Sequence, residues 1–114
     1  MIYVYLLVCA LAPKQMGQSM INDLKALKRA AGYANKREVF GLPIGQNRGI
    51  RYPLAKSWMQ FEAAYLMAKK VAWLHNQHFP CTAEANNAKY LATEAYYHAC
   101  ENAISTHGGV GHAK

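Results

Sequence analysis

The side chains able to do chemistry are few and scattered. Of the five histidines, His75 and His78 stand three apart, and His107 and His112 stand five apart near the end. Neither pair sits in an HExxH pattern or a Cys/His pattern with zinc-ligand spacing, so no metal site is expected. The six carboxylates are Asp23, Glu38, Glu62, Glu84, Glu94 and Glu101. No two of them form an evident acid/base pair, and the first 22 residues hold none. No GxSxG nucleophile motif occurs. Cys9, Cys81 and Cys100 make no CxxC pair and no disulfide framework, which points to reduced thiols in a cytoplasmic protein. Gly108, Gly109 and Gly111 superficially resemble a phosphate loop. They follow a helical pattern rather than a strand, so a dinucleotide fold is not supported. No catalytic residue is assigned.

The elements that must position any site are helices. Ala is abundant, Leu, Met, Lys and Glu recur with it, and few stretches alternate apolar with polar residues. The fold class expected is all-α, an incomplete up-down helical bundle. A first helix is read from about Met16 to Lys36, its apolar stripe being Met20, Leu24, Leu27, Ala31 and Ala34. Gly41, Pro43, Gly45, Asn47 and Gly49 then mark an irregular loop. Pro53 suits the first turn of a second helix running to about Asn76. Leu54, Trp58, Phe61, Tyr65, Ala68 and Ala72, widened by Met67, Val71 and Leu74, predict that this helix is buried on more than one side. Thr82 is the expected N-cap of a third helix. Its small face, Ala85, Ala88, Leu91, Ala92, Ala95 and Ala99, allows close approach of a neighbour. Gly108 and Gly109 end it. The short connection around Pro80 makes the second and third helices antiparallel neighbours.

The chain of 114 residues is enough for one domain, and 53% hydrophobic against 17% charged residues speaks against disorder. A formal charge of +7 invites a nucleic-acid reading, but the cations are spread and form no dense run or binding motif. Solvated helix faces and one anionic ligand account for them. Met1 to Ala12 is an apolar run followed by Pro13. It is shorter than the roughly 20 residues that span a bilayer, and no positive charge precedes it as in a signal peptide. Residues 1–15 are therefore set apart as an atypical segment, and residues 16–114 form the helical domain.

The string REVFGLPIGQNRGI, Arg37 to Ile50, resembles a stretch in the carboxyl-terminal domain of acyl-CoA dehydrogenases. The resemblance continues in EAAYLM (Glu62 to Met67), AWLHNQ before PC, AEANNAKYLATEA (Ala83 to Ala95) and THGGVGHA (Thr106 to Ala113). In that family the domain is a helical bundle packed against a middle β domain, and the FAD of one subunit reaches its neighbour's bundle. The resemblance implies that Arg37 meets the pyrophosphate, that Phe40 packs against the cofactor, and that Gly108 and Gly109 let backbone N–H groups approach it. Arg48 stands where the family commonly carries a Gln that helps hold the nucleotide; an Arg can donate to phosphate too. Ser105 replaces a second family Gln and shortens its reach.

The family reaction removes a proton α to a thioester carbonyl with a glutamate, while hydride leaves the β carbon for the flavin. One family position for that Glu lies beyond the Gly-Gly motif, past Lys114; the other falls near Leu11, where there is no carboxylate. The expectation is a truncated fragment of a flavin-dependent acyl-CoA dehydrogenase, inactive as an isolated chain. The family also implies a homo-oligomer and electron-transfer flavoprotein as partner, with no nucleic acid and no membrane. Rival readings are a non-enzymatic subunit completing a separately encoded flavoprotein, a basic nucleic-acid-binding bundle, and a secreted or membrane-tethered peptide resting on Met1 to Ala12.

Overall fold

A computed structural model of the chain describes residues 20–113. The apolar segment Met1 to Ala12, Cys9, the position near Leu11 and the expected helix start at Met16 lie outside the described residues.

The chain is helical from residue 20 through residue 36 (α1). Met20, Asp23, Leu27, Ala30 and Ala34 are buried, a spacing of three and four that puts them on one stripe. Ala31, expected inward, is exposed. From Leu27 the stripe can continue through position 30 or 31, and packing selects Ala30, which also carries Asp23 inward.

The expected irregular loop is more ordered than its glycines and prolines suggest. Strands β1 (Glu38–Val39) and β2 (Leu42–Pro43) pair antiparallel, Glu38 facing Pro43 and Val39 facing Leu42. This small hairpin is the one departure from all-α among the described residues. Its tip is Phe40 (φ 55°) and Gly41 (φ 80°), and two successive positive φ values are what a two-residue hairpin turn requires. A 3-10 turn, Ile44–Gln46, follows. Gly45 lies against the end of α1: a Cβ there would sit 3.2 Å from the Ala34 carbonyl oxygen.

Helix α2 spans Arg48–Asn76. It therefore starts five residues before Pro53, so Pro53 is its sixth residue and not part of its first turn. The start is set by Asn47, whose side-chain oxygen accepts the Gly49 N–H at 3.0 Å. Pro53 leaves the exposed Gly49 carbonyl without its usual helical donor, and water can satisfy it there. At the other end His78 takes φ 57°. The Phe79 N–H bonds Leu74 O and the His78 N–H bonds His75 O, both at 3.0 Å, which closes the helix as a Schellman motif.

Helix α3 spans Thr82–His107. Thr82 is its first residue and not its cap, because the Ala85 N–H already bonds the Cys81 carbonyl at 2.8 Å. Ala88, Ala92, Ala95, Ala99, Ala103 and Thr106 form its buried face. Gly108 (φ 61°, ψ −134°) ends it, and Gly109 opens a single turn, α4 (Gly109–His112).

Asn102 meets Pro53 and Ser57, while Glu84 meets Lys70 at 3.8 Å, so α2 and α3 run antiparallel. Asp23 acts on Tyr96 and Tyr33 stacks on His107, so the two contacts advance together and α1 runs parallel to α3. The core joins Met20, Leu27, Phe61, Ala64, Ala92, Ala95 and Ala99, with Leu24, Leu54, Ala68 and Leu91 packed around them.

The expectation that α2 is buried on several sides fails. Only Ser57, Phe61 and Ala64 are buried on it, and Trp58, Met59, Tyr65, Leu66 and Trp73 are exposed. Among the described residues α1 and α3 cover a single face of α2, and the rest of its apolar stripe looks outward.

Candidate functional site

The five residues singled out for ligand contact fall at one end of the bundle. Antiparallel packing puts the start of α2 beside the end of α3, and parallel packing brings the end of α1 to the same place. Arg37 leaves α1 there with its backbone held on both sides. Its N–H donates to Tyr33 O at 2.8 Å, and its carbonyl accepts the Ile44 N–H at 2.9 Å. The guanidinium is exposed and takes part in no ion pair among the described residues.

Phe40 lies three residues on, at the hairpin tip, fully exposed (102%) and in the left-handed region. A bulky residue pays for that conformation with roughly 1–2 kcal/mol. Its ring recovers nothing from the chain's own core.

Arg48 is the first residue of α2, exposed, with Arg51 close behind and no acidic residue in that turn. A helix amino terminus already carries a positive partial charge, so two cations there repel it until an anion arrives. The Asn47 N–H bonds Ile44 O at 3.0 Å and Ile44 bonds Arg37, so one short run of backbone bonds links Arg37 to the start of α2.

At the end of α3, Gly108 needs its missing side chain for conformation, since φ 61° with ψ −134° is glycine territory. Gly109 has no positive φ, and a Cβ there would meet nothing within 4 Å. Within this chain, nothing sterically demands glycine at that position. Gly111 is the reverse: a Cβ would come within 2.6 Å of Ile104 O and 3.1 Å of the His107 Cβ, so α4 folds tightly back on α3. Ser105 is exposed and borders a cleft of about 430 Å³ with Tyr97, Cys100, Glu101, Ile104 and His112.

Several side chains have surroundings that the sequence reading did not foresee, and of these all but Tyr96 are buried or half-buried. Tyr33 and His107 stack with ring centroids 4.6 Å apart, and His107 Nδ1 lies 2.7 Å from Ala103 O, a distance at which the ring N–H donates to the carbonyl. Asn102 Nδ2 donates to the Ser57 hydroxyl at 2.7 Å and to Pro53 O at 3.2 Å. Asp23 is sealed in the core at 1% exposure, neither oxygen has a hydrogen-bond partner among the described residues, and burial pushes its pKa up to about 7. The Tyr96 phenol of α3 is pushed up as well, first by its hydrogen bond with the Cys100 thiol and least by the charge of Asp23. The one available signal was adjacency. Tyr33 precedes Arg37 by one helical turn, and His107 directly precedes the glycines.

Of the other carboxylates, Glu38 adjoins Arg37 and is exposed. Glu94 and Glu101 flank His98 at 3.7 and 3.8 Å on α3, and Glu84 faces Lys70. Asp23 lies about 15 Å along α1 from Tyr33, at 1.5 Å per helical residue. No cluster of three metal-ligating side chains occurs among the described residues. What this end can do is bind: exposed guanidinium groups, an exposed ring and open backbone suit an anionic ligand with a flat aromatic part.

Known proteins share this sequence pattern and this fold. Residues 15–114 match the family described as acyl-CoA dehydrogenase, C-terminal domain. The probable acyl-CoA dehydrogenase YngJ of Bacillus subtilis is 40% identical over 89 residues, covering 78% of this chain and 23% of that protein. Butyryl-CoA dehydrogenase from Megasphaera elsdenii superposes with a TM-score of 0.90 at 27% identity, over 96% of this chain and 28% of that one. The FAD complex of PigA superposes with a TM-score of 0.82 at 25% identity, over 84% of this chain and 25% of that one. The chain thus spans about a quarter of the length of the relatives it matches. Its helices, their order and its matching sequence place it in the acyl-CoA dehydrogenase family, as a member of that family's C-terminal helical domain.

Proposed function

We propose that this bundle is part of a flavin-dependent acyl-CoA dehydrogenase, and that its Arg37–Gly108 end binds FAD. The observation that carries the reading is Phe40, an aromatic ring held fully exposed at φ 55° three residues after Arg37, which is exposed as well. Arg37 binds the pyrophosphate, Phe40 covers an aromatic face of the cofactor, and Arg48 at the start of α2 adds a second donor to phosphate. The Gly108 N–H already donates to Ile104 O at 3.1 Å, so Gly108 shapes the turn and Gly109 leaves room for the ligand to reach its backbone N–H. FAD, when bound, supplies the hydride acceptor for α,β-dehydrogenation of an acyl-CoA thioester.

A polypeptide of these 114 residues does not perform that reaction by itself. Among the described residues the site end offers no buried general base, since Glu38 is exposed and Asp23 is sealed within the core. Nor can the helices among the described residues close a flavin away from water, as such a transfer requires. In the working protein the bundle acts within a homo-oligomer, with electron-transfer flavoprotein as electron acceptor, in the cytoplasm and in fatty acid metabolism. No helix among the described residues is long and apolar enough to cross a membrane.

Titration of FAD with the chain, followed by flavin fluorescence, tests the binding role. Arg37→Ala and Phe40→Ala should each weaken it by about tenfold, and unchanged affinity in both would overturn the assignment. Acyl-CoA-dependent dye reduction by the purified chain would overturn the inactivity. A second reading, in which the bundle is a non-enzymatic subunit of a separately encoded flavoprotein, draws on the exposed apolar stripe Trp58, Tyr65, Leu66 and Trp73. Copurification of a flavin-bearing partner distinguishes it.

A further inference from the structure

The two halves of the site end belong to different helices. Arg37 and Phe40 follow α1, while Gly108 and Gly109 follow α3. A ligand that touches both halves needs them held in fixed register. The buried apolar side chains that reach this end, Ala34 and Ala103, are small, while the larger core side chains Leu27 and Phe61 lie nearer the middle of the helices.

We infer that the Tyr33–His107 stack is the positioning contact that sets the distance between the Arg37–Phe40 hairpin and the Gly108–Gly109 turn. Three independent features meet at it. Tyr33 is joined to the hairpin through its own carbonyl, which accepts the Arg37 N–H at 2.8 Å. His107 is the last residue of α3, so moving its ring moves Gly108 with it. The imidazole is held in place by Nδ1 against Ala103 O at 2.7 Å and by the backbone of α4, where Gly111 approaches the His107 Cβ so closely that an added Cβ would lie at 3.1 Å. The rings stack at 4.6 Å and 29°. This is a ring-to-ring contact of fixed spacing between two rigid helix ends, one turn and one residue away from the two parts of the site. The hydrogen bond to Ala103 sets the rotamer of His107, and the stack transmits its position to α1.

The inference rests on the cofactor reading for its purpose but not for its geometry, so the test reads geometry first. In a background with Cys9, Cys81 and Cys100 changed to Ser, spin labels go on Glu38→Cys in β1 and Val110→Cys in α4, both exposed positions. Pulsed electron–electron resonance on the whole chain then gives the distance distribution across the site. Tyr33→Ala and His107→Gln should each broaden it at least twofold, and the double variant should broaden it no further than either alone. Tyr33→Phe, which keeps the ring, should leave the distribution narrow, while His107→Phe, which keeps the ring but loses the bond to Ala103 O, should broaden it less than His107→Gln does. His107→Gln retains a polar reach towards Ala103 O, so a narrow distribution in that variant overturns the inference. So does equal broadening in a Tyr90→Ala control, whose side chain is exposed elsewhere on α3. Circular dichroism of each variant separates loosening from unfolding. If the Ala variant unfolds, the Phe and Gln variants alone decide.

FAD titration of the same proteins keeps the two claims apart. The ring-deleting variants should bind two- to tenfold more weakly, the worth of a stacked pair. Arg37→Ala should weaken binding with the distance distribution unchanged. If Arg37→Ala binds FAD as the parent does while Tyr33→Ala still broadens the distribution, the cofactor reading falls and the positioning contact stands.

Discussion

Replacing Asp23 by Asn should make the bundle more stable above neutral pH and remove most of the pH dependence of its stability between about 4 and 7. The carboxyl is sealed at 1% exposure, without a hydrogen-bond partner among the described residues, and burial raises its pKa from 3.8 to about 7. A raised folded-state value means that folding favours the protonated acid. The stability this confers is complete below about 4, where the unfolded chain is protonated too, and is lost as pH rises through about 7. The gap from 3.8 to about 7, at about 1.4 kcal/mol per pH unit, makes ionisation cost the folded state about 4 kcal/mol above pH 7. An Asn avoids the charge and buries an uncharged polar group much as the protonated acid does. The net gain at pH 8 should therefore be about 4 kcal/mol, with little or no gain at pH 4. Urea unfolding followed by helical circular dichroism, parent against variant at intervals from pH 4 to 8.5, gives this difference directly. Other titrating groups are common to both proteins and cancel in it. A difference that stays flat across that range would refute the reasoning, because it would mean that Asp23 ionises in the folded state as it does in water.

Three more perturbations follow from the same geometry. His78→Gly should raise the urea midpoint by the equivalent of about 1 kcal/mol, since a left-handed helix cap is occupied by a residue with a Cβ. Asn102→Ala should destabilise by about 1–3 kcal/mol in the same assay, because it leaves the buried Ser57 hydroxyl without its 2.7 Å partner and loosens α3 from Pro53. Phe40→Gly should move two measurements in opposite directions. Stability should rise by up to about 1 kcal/mol as the left-handed strain is relieved, while FAD affinity falls about tenfold.

What could be read from the sequence depended on whether one physical signal dominated locally. The small face of α3 was legible because alanines at 88, 92, 95 and 99 repeat at helical spacing with little to compete. The start of α2 was not, because Pro53 is a strong sign of a first turn and Asn47 sits inside a run of glycines that reads as loop. The two-strand hairpin was hidden for the same reason: two residues per strand are too few for alternation to register. Trp58 and Tyr65 belong to an apolar stripe that any periodicity argument sends inward, yet an apolar pattern does not specify which neighbour covers it. Asp23 breaks the pattern outright, since a carboxylate on a core stripe is what binary patterning forbids. For the site, resemblance supplied Arg37, Phe40, Arg48, Gly108 and Gly109, and helix directions gathered them to one end. The Tyr33–His107 contact lies between residues far apart in the chain, so no local spacing could have revealed it.

The two left-handed side chains, Phe40 and His78, show how strain separates local architecture from function. Both carry a Cβ into a region that costs roughly 1–2 kcal/mol. At His78 the return is visible within the fold: two backbone hydrogen bonds close α2, and Phe79 turns back to lie 6.1 Å from Trp73. At Phe40 there is no such return, because the ring is fully exposed and the hairpin it tips has only two residues on each side. A glycine there would form the same turn at lower cost. Under the proposed cofactor reading, a ligand packed on the ring would compensate this strain, and the neighbouring features bear on its chemistry. Arg37 and the cation-bearing amino terminus of α2 favour an anion, and the open glycine turn favours close backbone approach. A nucleotide cofactor meets all of these requirements together. A neighbouring helix would satisfy the ring and leave the cations and the unhindered Gly109 without a purpose.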